Sequence, residues 1–90
     1  MARILGDPRH KALRAFLVQQ RKQAGLRQID LAKRLGRGQY YVSHIETGQK
    51  VVDVIELLDW AAACGFDAGK ALKALRRNGR HAIRTRPQHG

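Results

Sequence analysis

Between Gln28 and Gly48 the chain reads QIDLAKRLGRGQYYVSHIETG, and what constrains the fold is how little separates its two apolar runs. In the first run Leu31, Ala32 and Leu35 fall at the i, i+1, i+4 spacing of one buried helical stripe, and Ala32 is small enough to let another helix cross closely. Gly36 then ends the helix. Glycine reaches the left-handed conformation at a helix C-terminus without steric cost, so the chain reverses there within about three or four residues. In the second run, Gln39 to Thr47, Val42 and Ile45 share one face, and at about 100° per residue Tyr40, Ser43, His44 and Thr47 fall on the other. A polar and aromatic face on a helix anchored by its other side is what a groove reader requires.

The rest of the chain supports that pair. Residues 1–6 read as a flexible arm, and Asp7-Pro8 as a helix start, with aspartate as N-cap and proline at the first helical position. That helix runs to about Ala24 and ends at Gly25, with Leu13, Phe16, Leu17 and Ala24 on its core face. After Gly48 a short extended stretch leads to Asp53-Val54-Ile55-Glu56, a capping-box start. The helix it opens continues to about Cys64 and stops at Gly65, with Val54, Leu57, Leu58, Trp60, Ala61 and Cys64 as its inner face. Trp60, flanked by Asp59 and lacking basic neighbours, is expected to fill the core rather than stack on a base. Phe66 and a helix from about Asp67 to Arg77 close a domain spanning residues 7–77, leaving Ile55 and Ala62 as uncommitted apolar surface and residues 78–90 as a mobile basic tail. The expected class is all-α, a compact bundle of about five short helices with the turn-linked pair as helices 2 and 3.

Ninety residues support one domain with a modest core, since a chain of this size buries only about two-thirds of its unfolded surface. Charge is distributed unevenly: residues 1–50 hold 11 Lys/Arg against 3 Asp/Glu, residues 51–69 none against 4, and residues 70–90 seven against none, for a net +11. A basic front, an acidic patch and a basic tail suggest an oriented polyanion binder. Basic composition alone is equally consistent with a solubilised surface, so the weight falls on the helix spacing. An enzyme needs a constellation, and none is present. His10, His44, His81 and His89 are far apart with no Cys or carboxylate at metal-ligand spacing, and no glycine-rich phosphate loop follows a strand. Neither a metal nor a cofactor is expected. The single Cys64 sits in the apolar run WAAAC as a buried thiol, no apolar run approaches the ~18 residues of a membrane span, and ARILG is too short for a signal-peptide core, so a reducing cytoplasm is the expected location.

Gln28, Leu31, Ala32, Leu35, Gly36, Val42, Ser43, Ile45, Glu46 and Gly48, taken together at ungapped spacing, resemble the phage-repressor-like helix-turn-helix family, often called XRE-like, and the resemblance extends from roughly Leu13 to Asp67. It implies a lambda-repressor-like fold that places its third helix in the major groove of double-stranded DNA, and a homodimer on a palindromic operator. It also implies a buried bridge between Arg21 and Glu46 that ties the first helix to the third. Four positions depart from the pattern. Arg27 stands where Ser or Thr usually caps the second helix, losing that cap and opposing the helix dipole; a phosphate there would relieve the conflict. Arg37 and Gly38 replace an apolar and a capping residue in the turn, and Ile29 replaces a polar one.

On this reading Gln39 pairs with an adenine edge through both amide groups, Tyr40 offers a ring to a thymine methyl and a hydroxyl to phosphate, and Ser43 and His44 complete the base-reading set. Protonation would turn His44 into a cation near DNA and tighten binding in acid. Backbone contacts fall to Gln28, Thr47, Gln49 and Lys50, joined by Arg27 and Arg37. The expected function is a sequence-specific transcriptional regulator, a repressor acting by occlusion. Two alternatives stay open: an antitoxin whose acidic patch or tail also holds a toxin protein, and a protein-interaction adapter that keeps the fold without the DNA contacts.

Overall fold

The structure, a computed structural model, describes residues 5–78. The arm expected over residues 1–6 lies mostly, and the tail expected over residues 78–90 almost wholly, outside them. Five helices follow one another: α1 Pro8–Gln23, α2 Gln28–Leu35, α3 Gln39–Glu46, α4 Val54–Cys64 and α5 Ala68–Asn78. The described residues contain no strand. Asp7 caps α1, its carboxylate accepting from the Arg9 N–H at 2.8 Å, and Asp53 caps α4, accepting from the Glu56 N–H at 2.7 Å while Glu56 accepts from the Asp53 N–H at 3.0 Å. That exchange is a full capping box.

Glycine sets the angle between the two central helices. Gly36 sits at φ 69°, where its N–H reaches the Lys33 carbonyl at 3.2 Å and the next N–H, of Arg37, reaches back to Ala32 at 2.9 Å. This is the Schellman closure, and it folds α3 directly onto α2. Gly48 closes α3 in the same way at φ 83°, and here a second constraint acts: a Cβ would stand 2.8 Å from the Arg14 Cζ, so the guanidinium packs where a side chain would be. The C-terminus of α4 is satisfied from outside, by the Arg34 guanidinium of α2 donating to the Ala63 carbonyl at 2.7 Å.

The core is a single cluster of Leu13 and Leu17 from α1, Leu31 and Ala32 from α2, Tyr41, Val42 and Ile45 from α3, Val52 from the connection, Leu57 and Trp60 from α4, and Ala71 from α5. Trp60 is its largest fully buried side chain, the core filler expected. Its indole N–H has no hydrogen-bond partner of normal geometry; the polar group it faces is the Tyr41 hydroxyl, whose own proton goes to Glu56. Phe16 meets Phe66 edge to face at 5.2 Å, joining α1 to the segment before α5. The connecting loops are three to seven residues long; α2 packs on α3 and α4, and α1 braces the bundle against α5 on one side and α3 on the other.

Three expected core positions are not in the core. Ala24 is exposed beyond the last turn of α1, and Val54 and Leu58 are 65% and 51% exposed. The cause of the second departure is Glu56. Its carboxylate is drawn inward by the Tyr41 hydroxyl and by Lys50, so α4 is rotated to bury Glu56, Leu57, Trp60 and Ala61, and this rotation carries Val54, Ile55 and Leu58 to the surface.

Candidate nucleic-acid interface

The outward side of α3 carries Gln39 and Tyr40, both exposed, and Ser43 and His44, both half-buried. Its inward side, Tyr41, Val42 and Ile45, is buried. Glu46 closes the inward side with charge. Arg21 of α1 donates from Nε to Glu46 Oε2 at 2.6 Å and from Nη2 to Oε1 at 3.1 Å, and its Nη1 donates to the Leu26 carbonyl at 2.9 Å. Both side chains of the pair are nearly buried, at 10% and 6% exposure, so the bidentate geometry is what compensates their desolvation.

From Glu46 the order passes outward to the exposed side of α3. Gln28 Nε2 donates to Glu46 Oε1 at 2.9 Å, and Gln39 Nε2 donates to Gln28 Oε1 at 3.3 Å. The polarity of this chain is forced. A carboxylate only accepts, so Gln28 must present its NH2 to Glu46 and is left with its carbonyl for Gln39. Gln39 then commits one of its two N–H bonds and keeps the other, together with its carbonyl oxygen, for a ligand. Those are the two groups an adenine edge requires.

Tyr40 projects with 69% exposure, its ring edge to face on His44 at 5.4 Å and 75°. Gly38 at the α3 N-terminus lies directly beneath it, where a Cβ would come within 3.2 Å of Tyr40 Cε1. Thr47 donates its hydroxyl to the Ser43 carbonyl at 2.8 Å and accepts from Gln49 Nε2 at 3.0 Å, so these two residues form a small polar platform at the far end of the helix.

The cations expected against phosphate sit in three different situations. Arg27 is not simply opposed to the α2 dipole: Asp30 accepts its backbone N–H at 2.9 Å and takes the guanidinium through two further bonds of 2.9 Å each. The lost cap is thus replaced from within the helix, and the Arg27 guanidinium and N–H hold the half-buried Asp30 carboxyl down to about 2. Arg37 lies over the Tyr41 ring, 4.4 Å from its centroid. Lys50 turns its ammonium inward to Glu56 Oε2 at 2.8 Å and the Val51 carbonyl at 3.2 Å, although its side chain remains 43% exposed. Burial pushes the Glu56 carboxyl up, but Lys50, the Asp53 N–H and the Tyr41 hydroxyl together outweigh it and leave the group below its usual range. Burial first, and the bond to Glu56 next, push the Tyr41 phenol up to about 12.

The loop after α3 is held by a contact for which the sequence gives no periodic signal. His10, buried in α1, accepts the Val52 N–H on Nε2 at 3.1 Å, and its Nδ1 lies 3.1 Å from Arg14 Nη1. A neutral imidazole has one acceptor nitrogen, so it satisfies one of these donors at a time, and a protonated ring would satisfy neither. Burial and the neighbouring Arg14 charge push its pKa down, against a smaller opposing pull from Asp7.

Among the described residues no group of three or more His, Cys, Asp or Glu is placed to hold a metal ion, and no helix is long and apolar enough to cross a membrane. Burial raises the pKa of the half-buried Cys64 thiol, against the smaller lowering pull of Arg34 and Arg21. The chain matches the family model of a helix-turn-helix domain over residues 12–75. Among solved structures it is similar to an XRE-family like protein from Pseudomonas syringae pv. tomato str. DC3000, with 39% identity and a TM-score of 0.72 over 77% of this chain and 84% of that chain. No curated protein matches it.

Proposed function

The chain belongs to the XRE-like helix-turn-helix family of DNA-binding regulators, and from that premise we propose that it is a sequence-specific repressor that binds a palindromic operator as a homodimer with α3 in the major groove. The observation that carries the reading is the tether from the buried Glu46 through Gln28 to Gln39, which fixes the orientation of a base-reading amide before DNA arrives. Preorganisation of this kind lowers the ordering cost of binding. Tyr40, Ser43 and His44 extend the same face. Gln28, Thr47, Gln49 and Arg37 surround it as backbone contacts, while Arg27 and Lys50 exchange an intramolecular carboxylate, Asp30 or Glu56, for a phosphate.

The homodimer is supported by Val54, Ile55 and Leu58, exposed apolar side chains grouped on one side of α4 that a second copy would cover. The same stripe with the exposed carboxylates Asp53 and Asp59 beside it is the surface an antitoxin would offer a toxin, so a second, different chain that co-purifies stoichiometrically would favour that role.

Selection of the pure protein against a randomised duplex pool, with affinity followed against salt, tests the proposal. The expected result is an enriched inverted repeat, from which Gln39→Ala removes discrimination at one base pair per half-site while Arg37→Ala weakens all duplexes alike and flattens the salt dependence. A pool that yields no enriched sequence would overturn direct reading.

A further inference from the structure

We infer that His10 and Arg14, one turn apart on α1, form a brace that positions the phosphate-contacting loop after α3, and that a second proton on His10 releases the loop and weakens DNA binding. The inference rests on the DNA-binding role proposed above. The loop runs from Thr47 to Asp53 and carries Thr47, Gln49 and Lys50, three of the residues assigned to the DNA backbone. Side chains of α1 hold it near both ends. The Arg14 guanidinium packs against the bare α-carbon of Gly48, where a Cβ would stand 2.8 Å from Cζ, and His10 Nε2 accepts the buried Val52 N–H at 3.1 Å. Gln49, Lys50 and Val51 span the two holds.

The proton on the ring decides whether the second hold exists. Arg14 Nη1 lies 3.1 Å from the Leu5 carbonyl as well as 3.1 Å from His10 Nδ1, so it keeps an acceptor without the ring. Among the described residues the Val52 N–H has His10 as its acceptor, so the lone pair belongs on Nε2 and the proton on Nδ1. A second proton sets donor against donor at Val52 and places a cation beside the Arg14 guanidinium. The neighbouring charges are engaged elsewhere: Arg9 closes on Asp7 through bonds of 3.0 and 2.7 Å, Glu46 of α3 goes to Arg21, and Lys50 and the Asp53 N–H go to Glu56. From α5 the ring's pocket receives the apolar Leu75. Linkage then gives the sign. DNA is gripped by the form with neutral His10, so affinity falls as pH drops below the ring's ordinary 6.5 and through its lowered folded value. Protonation of His44 acts in the opposite direction.

The test follows affinity for the selected duplex from about pH 8 to about pH 5, with the full chain and with His10→Gln, whose side-chain carbonyl accepts the Val52 N–H and does not titrate. The ratio of wild-type to variant affinity cancels the other titrating groups, His44 included. It is expected to lie within about threefold of one at the alkaline end and to fall in acid by as much as about tenfold per pH unit, the limit for one linked proton. A thermal melt at each pH shows that both proteins are folded, so the fall is not unfolding. His10→Ala strands the Val52 N–H and at about pH 8 should weaken all duplexes alike by about tenfold, the cost of one unmet buried donor, with a flatter salt dependence and unchanged discrimination at the Gln39 base pair. Should His10→Ala not fold, the ratio decides alone. A ratio that stays flat or rises in acid overturns the inference while operator selection stands, and so does a folded His10→Ala that binds like wild type. If no operator is selected, the DNA-binding role falls and the inference with it.

Discussion

The two sides of α3 are built on opposite rules. On the inward side each polar group has its partner within the chain: Glu46 is met by Arg21 and Gln28, and the Tyr41 hydroxyl by Glu56, whose other donors are Lys50 and the Asp53 N–H. On the outward side the Tyr40 ring meets the His44 ring edge to face, and Gln39 commits a single N–H. The inward side fixes where the helix is; the outward side leaves its bonding capacity to whatever the helix meets. Recognition is cheap to alter on such a helix and position is not.

The sharpest way to break this division is at its most buried point. Glu46→Ala strands the Arg21 guanidinium and releases Gln28, and it should lower the unfolding free energy by about 3–5 kcal/mol in a denaturant titration. Tyr41→Phe comes next. It removes one of the donors to a buried carboxylate and should cost about 1–3 kcal/mol in the same titration, with α4 rather than α3 as the element that loosens in hydrogen exchange.

Acid should cause a smaller loss, in two windows. His10 has a folded pKa below its ordinary 6.5, so the unfolded chain takes up the proton first and stability falls as pH drops through about 6.5, levelling below the folded value. His10→Gln should abolish that step in a plot of melting temperature against pH. Glu56 and Asp30 are depressed carboxylates, whose contribution is complete above their unfolded values and is lost as pH falls through their folded ones, so their step lies below about pH 4. The smallest effect marks the outward side. Gln39→Ala should change stability by no more than about 0.5 kcal/mol while it costs operator affinity tenfold or more. A comparable loss of stability from Gln39→Ala would erase the distinction between the two sides.

Helix ends were legible in the sequence because glycine and aspartate signal them locally: Asp7, Gly36, Gly48, Asp53 and Gly65 each stand at the boundary their chemistry suggests. Which side of α4 faces inward was not legible. The run VIELLDWAAAC is apolar nearly all round, so periodicity selects no face, and the choice is made by Glu56, a residue whose capping role is local but whose burial depends on Tyr41 from another helix. Tyr41 itself shares a turn with Val42 and Ile45, a spacing that places it inward and the adjacent Tyr40 outward, but nothing local in the sequence points its hydroxyl to Glu56. For the candidate site, the outward set followed from helical phase alone. The partners that hold it, Asp30 for Arg27 and Glu56 for Lys50, differ in kind: the first is a pair three apart on one helix and could be read from the sequence, whereas the second crosses a loop.

The chain of bonds that ends at Gln39 also says how such a protein can diverge. Ser43, His44 and Tyr40 are supported by backbone or by one another, so point changes at these sites explore new operators with little penalty in folding. Gln39 is wired through Gln28 to the interior, so a change there also unlinks its neighbour. On the proposed reading of DNA, two daughter proteins of a gene duplication would be expected to part first at positions 40, 43 and 44 and to keep Gln39 and Gln28 together longest.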